Sequence, residues 1–460
     1  MDAIWSWAGY IVLFLCFNGY FLFLKHKLNI KMEFVPVLTC TGIMIVLIAA
    51  GAVMKLKWGA LVLVLCGIGL FANEVVDIVR KKVSLPSIFD KRTIAAYVSF
   101  FALTTYYLVY FKGHYLTGYD TFTHWGAAVK IMLYNDRLPA QWDVLTWHSS
   151  YPTGAQGFEY FLCRVTNDWS DGMMLSAQAI LFMSCIIALT AVCRNYIVLI
   201  PVALVSCTLL RDIVYSLSVD IMLAFFCASG FAMILYYKRE VHKRWWLIAV
   251  MISVLPVIKV AGFYHFLILL IWFSIIYFGE KGSGRKQKAI RYVAFLVILA
   301  IPYLIWTLYL NTVSPASLNT RHAFSVQYMQ YISNIKSEES IAQQARDFWN
   351  SLTDMNQMRG TLISLGISAG IGLLSVFTST RGERKHPIIF VALILVSFAL
   401  YNAFLLGMYL YEMPETSLGS FGRYQNIHNV MILLMSVVLF ISTIRSLKDM
   451  RYQTIPVIVV

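Results

Sequence analysis

One short run places an acid and a base at helical spacing: Gly118-Tyr-Asp-Thr-Phe-Thr-His-Trp-Gly126. Asp120 and His124 are four residues apart, so a helix that starts here brings both to one side of its first turn. A carboxylate there can take a proton from a hydroxyl, and an imidazole can orient the carboxylate or the hydroxyl. Asp120 equally suits a helix N-cap, and Trp125 suits a membrane interface; the spacing alone supports either role. Further on, Trp147-His-Ser-Ser-Tyr-Pro-Thr-Gly154 reads as a fixed turn that offers Tyr151 among hydroxyls. Arg211 and Asp212 end one apolar run, and Asp220 sits a turn or two into the next. Lys259 stands alone between Leu255-Pro-Val-Ile258 and Val260-Ala-Gly-Phe-Tyr-His265. Ionisable groups at membrane depth are costly, so each needs a partner or a wet cavity. An Asp–Lys pair that only joins helices is the structural alternative for Asp220 and Lys259. Arg423-Tyr424 closes Ser420-Phe-Gly-Arg-Tyr just before the last apolar run, where a planar guanidinium can grip phosphate oxygens bidentately. Arg321 and His322 form a further possible substrate-binding pair.

The elements that must position these groups are membrane helices. Of 460 residues, 59% are hydrophobic and only 13% charged, about half the usual charged share of a soluble domain. Lipid must solvate most of such a chain, and its long unbroken apolar runs choose helices over a barrel. Thirteen runs are long enough to be considered spans: about 4–24, 33–54, 58–79, 93–111, 172–193, 195–210, 213–237, 245–258, 260–278, 292–310, 360–379, 387–411 and 429–445. The expected fold is therefore all-α, a polytopic transmembrane bundle. The run 245–258 is short for a bilayer of about 30 Å and either tilts or forms a broken pair with 260–278. The first run lacks a basic leader and reads as a retained helix rather than a signal peptide.

The net charge of +14 does not point to nucleic acid, because the cations fall in short clusters between the apolar runs. With the N-terminus outside, 24 of the 37 Lys and Arg fall on the inner segments, as the positive-inside rule requires. Three long segments, 112–171, 311–359 and 412–428, then face outward, and they hold most of the candidate residues. Within the first, Phe122, Trp125, Val129, Met132 and Leu133 recur at helical spacing, which predicts an interfacial helix. Six of the eight cysteines lie inside apolar runs and read as small hydrophobes, not as a disulfide or zinc framework. No glycine-rich phosphate loop is present, so nucleotide chemistry on the inside has no visible home. Acid, cations and aromatics converge on the outer face, a set suited to a lipid-linked phosphate sugar: cations hold phosphate, aromatics stack on sugar, and a carboxylate takes the acceptor proton.

On these residues the sequence resembles the GT-C superfamily of integral-membrane glycosyltransferases, which take sugar from a polyprenyl-phosphate carrier on the non-cytoplasmic side. Asp120, within Gly-Tyr-Asp-Thr-Phe-Thr-His-Trp, matches the family's acidic residue in the first long outer loop. Ser-Phe-Gly-Arg-Tyr at 420–424 is similar to the late Arg-Tyr of some bacterial members, where Arg contacts the carrier phosphate. The resemblance runs from about residue 93 onward, and 93–310 holds seven runs, the number in the family core. It implies three parts: accessory helices at 1–92, a catalytic core at 93–310, and an outer loop with further helices at 311–460. It implies a cell-membrane enzyme of the bacterial cell envelope, with its active site facing the extracytoplasmic side. Asp120 and His124 would be catalytic, and Lys259, Arg423 and Tyr424 would bind the donor phosphate. Trp125, Tyr151, Asp220, Arg321 and His322 would line the substrate. The substrates would be a polyprenyl-phosphate sugar and a glycan or cell-wall polymer acceptor, with no cofactor and no metal. A polymerase or ligase of pyrophosphate-linked glycans, or a transporter or lipid-glycan flippase, are the alternatives.

Overall fold

The computed structural model describes residues 2–80, 88–143, 149–215, 217–280, 284–313, 326–380 and 382–451. Among them the chain is all-helical, with no strand. Among the described residues eleven helices are long and apolar enough to cross a membrane, which makes this a multi-pass membrane protein. They coincide with eleven of the thirteen expected runs, and the other two fall on shorter apolar helices at Tyr196–Thr208 and Asp220–Tyr236.

In chain order the helices are α1 (Asp2–His26), α2 (Val35–Ala52), α3 (Leu56–Val79), α4 (Lys91–Tyr110), α5 (Gly126–Asn135), α6 (Gly154–Thr166), α7 (Asp171–Leu189), α8 (Leu199–Val214) and α9 (Asp220–Tyr236). There follow α10 (Val241–Ser253), α11 (Leu255–Ile258), α12 (Gly262–Gly279), α13 (Arg285–Val313), α14 (Val326–Ile335), α15 (Glu338–Thr353), α16 (Met355–Thr378), α17 (Lys385–Tyr411) and α18 (Phe421–Arg451). Helices α7 and α9 form the centre and are buried on nearly every face. Outer helices instead show large apolar side chains outward, such as Trp58, Leu61 and Leu65 on α3 and Val293, Val297 and Leu304 on α13. That inversion is what lipid as solvent demands. Along α16, Thr361, Ser364, Ser368, Gly372 and Ser375 recur as small buried residues; α18 packs closely along this helix, and Gly372 makes room for Val391 of α17.

The two ends of the bundle differ. At one end the basic segments tie together: Lys238 pairs with Glu383 at 2.7 Å, His26 meets Glu74 at 2.7 Å, Arg92 meets Glu33, and Arg244 donates to the Leu28 carbonyl at 2.7 Å. At the other end stand Asp120, Asp220, Lys259 and Arg423. Helix α9 joins the two, from Asp220 to Tyr236, a length of about 25 Å at 1.5 Å per residue.

Several expectations change. Runs 245–258 and 260–278 are two antiparallel helical segments, because His242 at the start of α10 meets Tyr277 and the Glu280 carbonyl at the end of α12. Lys259, in extended backbone, is the tip of that hairpin. Arg211 and Asp212 lie within α8 rather than ending a helix. Asp220 is the first residue of α9, not a position inside a span. The break before it includes Leu217, which takes a left-handed backbone that no helix continues through. An Asp at the first helical position also gains from the positive end of the helix dipole. The segment 311–359, expected as a loop, carries the amphipathic helices α14 and α15.

Candidate functional site

The chain enters the site through a single π-helical turn, Thr121–Trp125, which leads directly into α5. Such a turn inserts a residue into the helical repeat and rotates the side chains on either side of it relative to each other. The effect is visible in the expected apolar face: Trp125, Val129, Met132 and Leu133 are buried, but Phe122 is 58% exposed, rotated out of line. The Asp120 side chain makes no capping hydrogen bond. It reaches across the bundle end instead, and Arg423 donates to it at 2.8 Å over a sequence distance of 303 residues. His124 Nε2 lies 3.8 Å from the other Asp120 oxygen.

Arg423 faces a second carboxylate too, with Nε 3.5 Å from Asp220. Lys259 forms a tight ion pair with the remaining Asp220 oxygen, and Ser218 Oγ lies 3.3 Å from the first. The Asp220 side chain is 4% exposed and that of Lys259 12%, so this pair is shielded from water. Lys259 also lies over two rings, 5.9 Å from Trp125 and 5.6 Å from Tyr424. Tyr151 completes the wall: it stacks on Trp125 at 5.5 Å with 14° between planes and meets the His124 ring at 5.8 Å. Eight candidate residues from five separate segments thus form one cluster: Asp120, His124, Trp125, Tyr151, Asp220, Lys259, Arg423 and Tyr424. Arg321, His322, Trp147 and His148 lie outside the described residues.

Two glycines allow the segments to meet. A Cβ on Gly154 would come within 2.6 Å of the Val257 carbonyl, so only glycine lets the Tyr151 turn press on the hairpin that carries Lys259. A Cβ on Gly262 would fall 2.0 Å from the Leu255 carbonyl, so the hairpin itself needs glycine at its crossing. The start of α18 is held from below, where Tyr401 donates to the Tyr424 carbonyl at 2.6 Å and Gln425 donates to Asn402 at 2.6 Å. Sequence reasoning misses these supports, and it misses Ser218. Ser218 stands two residues before Asp220, and that proximity is a usable signal; nothing marks one Tyr among the apolar residues of α17.

Burial, foremost, holds the His124 imidazole below its usual pKa, with Lys259 and Arg423 acting in the same sense and Asp120 opposing. His124 is therefore neutral at neutral pH. Burial, aided by the nearby carboxylates, pushes the Tyr151 hydroxyl well above its ordinary range, so it stays a donor. For His124 the folded state binds a proton less readily than the unfolded chain, so its share of stability is whole above about pH 6.5 and is lost as pH falls below that. His124→Gln is expected to flatten the decline in thermal midpoint between about pH 6.5 and 5. Parallel declines in the two proteins would contradict this placement of His124.

The cluster holds a half-exposed carboxylate beside a neutral imidazole, two cations sharing one buried carboxylate, and a wall of three aromatic rings. It can accept a proton at Asp120, stabilise negative oxygen at Lys259 and Arg423, and stack flat apolar or sugar surfaces. Compared with protein-family models, curated proteins and solved structures, the chain matches none.

Proposed function

We propose that the protein is an inverting membrane glycosyltransferase that moves a sugar from a polyprenyl-phosphate carrier to an acceptor hydroxyl outside the cytoplasm. The acceptor class is a cell-wall polymer, a surface glycan or a lipid-linked glycan. The observation that carries this reading is Arg423 bridging Asp120 and the Asp220–Lys259 pair, so that proton acceptor and phosphate-binding cations are within one side chain's reach. In the reaction the acceptor oxygen attacks the anomeric carbon and the bond from that carbon to the phosphate oxygen breaks. The acceptor proton goes to Asp120, and the electron pair leaves on the phosphate, where Lys259 and Arg423 stabilise it. A phosphate arriving at Arg423 competes with Asp120 for the guanidinium, so donor binding frees the base. Trp125, Tyr151 and Tyr424 bound the sugar. Membranes carrying the protein, given labelled polyprenyl-phosphate sugars, should release polyprenyl phosphate in step with sugar transfer. The Arg423→Ala variant should lose both, and transfer that survives in it would refute the reading.

The orientation belongs to the same proposal: thirteen spans, N-terminus outside, basic end in the cytoplasm. Thr117→Cys and Ser333→Cys are exposed positions on the proposed outer segments, and Lys243→Cys is exposed at the basic end. An impermeant maleimide on intact cells should label the first two and reach the third only after permeabilisation. The opposite pattern would invert the topology and remove the enzyme from its donor's proposed side.

A further inference from the structure

A polar cavity of about 250 Å³ opens at the basic end, the length of α9 away from the cluster around Arg423. At about 30 Å³ per water it has the volume of roughly eight waters, enough for one phosphodiester headgroup. Four cations line it, Lys25, Lys31, Arg92 and Arg244, against three carboxylates, Glu33, Asp90 and Glu240. Each carboxylate already has a task. Glu33, 1% exposed, takes Arg92 and lies 3.5 Å from Lys31. Asp90 caps α4 by accepting from the Thr93 amide at 2.7 Å. Glu240 meets Arg244 at 3.6 Å, and that Arg also donates to the Leu28 and Asn29 carbonyls. Lys25 is the most loosely held cation: its counter-charge is Asp90, which it meets only through space and whose oxygen is already given to the Thr93 amide. It is half-buried at the end of α1, and makes no hydrogen bond or ion pair among the described residues. Tyr236 and Tyr237 form the aromatic wall, the first beneath Lys31 at 4.2 Å.

We infer that this cavity binds a phosphate-bearing anion, with Lys25 as its principal contact. The site lies where a transmembrane helix leaves its apolar run, at the depth of phospholipid headgroups. The chemistry is shared by an anionic phospholipid and a soluble phosphate compound, and the test separates them. The full-length protein in neutral detergent is heated with dioleoyl phosphatidylglycerol, dioleoyl phosphatidylcholine or inorganic phosphate, and unfolding is followed by tryptophan fluorescence. Phosphatidylglycerol should raise the midpoint more than phosphatidylcholine. Lys25→Gln should weaken its half-saturating concentration about fivefold, the size expected for one Lys at an anionic surface. Lys243→Gln, exposed at the same end but outside the cavity, should change nothing. Stabilisation by inorganic phosphate that Lys25→Gln also weakens would assign the site to a soluble phosphate; its absence would assign it to lipid. Equal effects of the two lipids with no response to phosphate would overturn the inference. So would an unchanged Lys25→Gln protein, or equal losses in the Lys25 and Lys243 variants.

Discussion

Asp120→Asn should reduce sugar transfer by about 10²- to 10⁴-fold, the usual contribution of a general base, while leaving the protein folded and able to bind donor. The amide keeps the size of the side chain and can still accept from Arg423, but it cannot take a proton at neutral pH. The ion pair that it gives up is more than a third exposed, so its loss costs at most about 1 kcal/mol. The alternative role for Asp120, capping a helix, makes the reverse forecast: Asn caps about as well as Asp, so Asn would stay active and Ala would lose about 1 kcal/mol of stability. The side chain's turn away from the amides of its own helix already weighs against capping. Sugar transfer and thermal midpoint, measured together for Asp120→Asn and Asp120→Ala, separate the two. Near-normal transfer by the Asn variant returns Asp120 to a structural role.

Asp220→Asn should be the most destabilising of the site substitutions, by about 3–5 kcal/mol, because it strands a shielded Lys259 against two aromatic rings. Lys259→Met leaves Asp220 with Arg423 and Ser218 and should cost less. Replacing both, Asp220→Leu with Lys259→Met, should recover most of the lost stability, since a buried ion pair exchanged for apolar side chains is often neutral. Transfer should remain absent in all three proteins. A double variant that is both stable and active would mean that the pair only joins α9 to the α10–α12 hairpin, and it would remove Lys259 from the proposed phosphate site. Thermal midpoints and transfer rates of the unaltered protein and the three variants decide between the two roles.

Much of this architecture is legible in residue patterns, because lipid imposes one simple demand, a long apolar run for every span. That demand yields the helices around α7 and α9, and the placement of Lys and Arg between them sets a more basic end against a less basic one. Helix ends are another matter. The charges of Arg211-Asp212 suggest a stop for α8, but the chain turns at Leu217, whose left-handed backbone has no compositional signature. Asp220 and Lys259 stand out as charges at membrane depth. That one carboxylate is held by both Lys259 and Arg423 cannot be read from spacing, since it depends on a hairpin crossing and on α18 meeting α9. Likewise the pairing of Asp120 with His124 follows from spacing of four, but the π turn that rotates Phe122 outward does not. The Tyr401 bond that supports Tyr424 joins two helices through a residue type common in apolar spans, and no pattern announces it.

The most direct measurement is an electron cryo-microscopy map of the full-length protein with bound polyprenyl phosphate. The phosphate should lie between Lys259 and Arg423, its oxygens within about 4 Å of both head groups, with Asp120 released from the guanidinium. A phosphate seated away from both cations, with the Arg423–Asp120 pair intact, would contradict the proposed donor site.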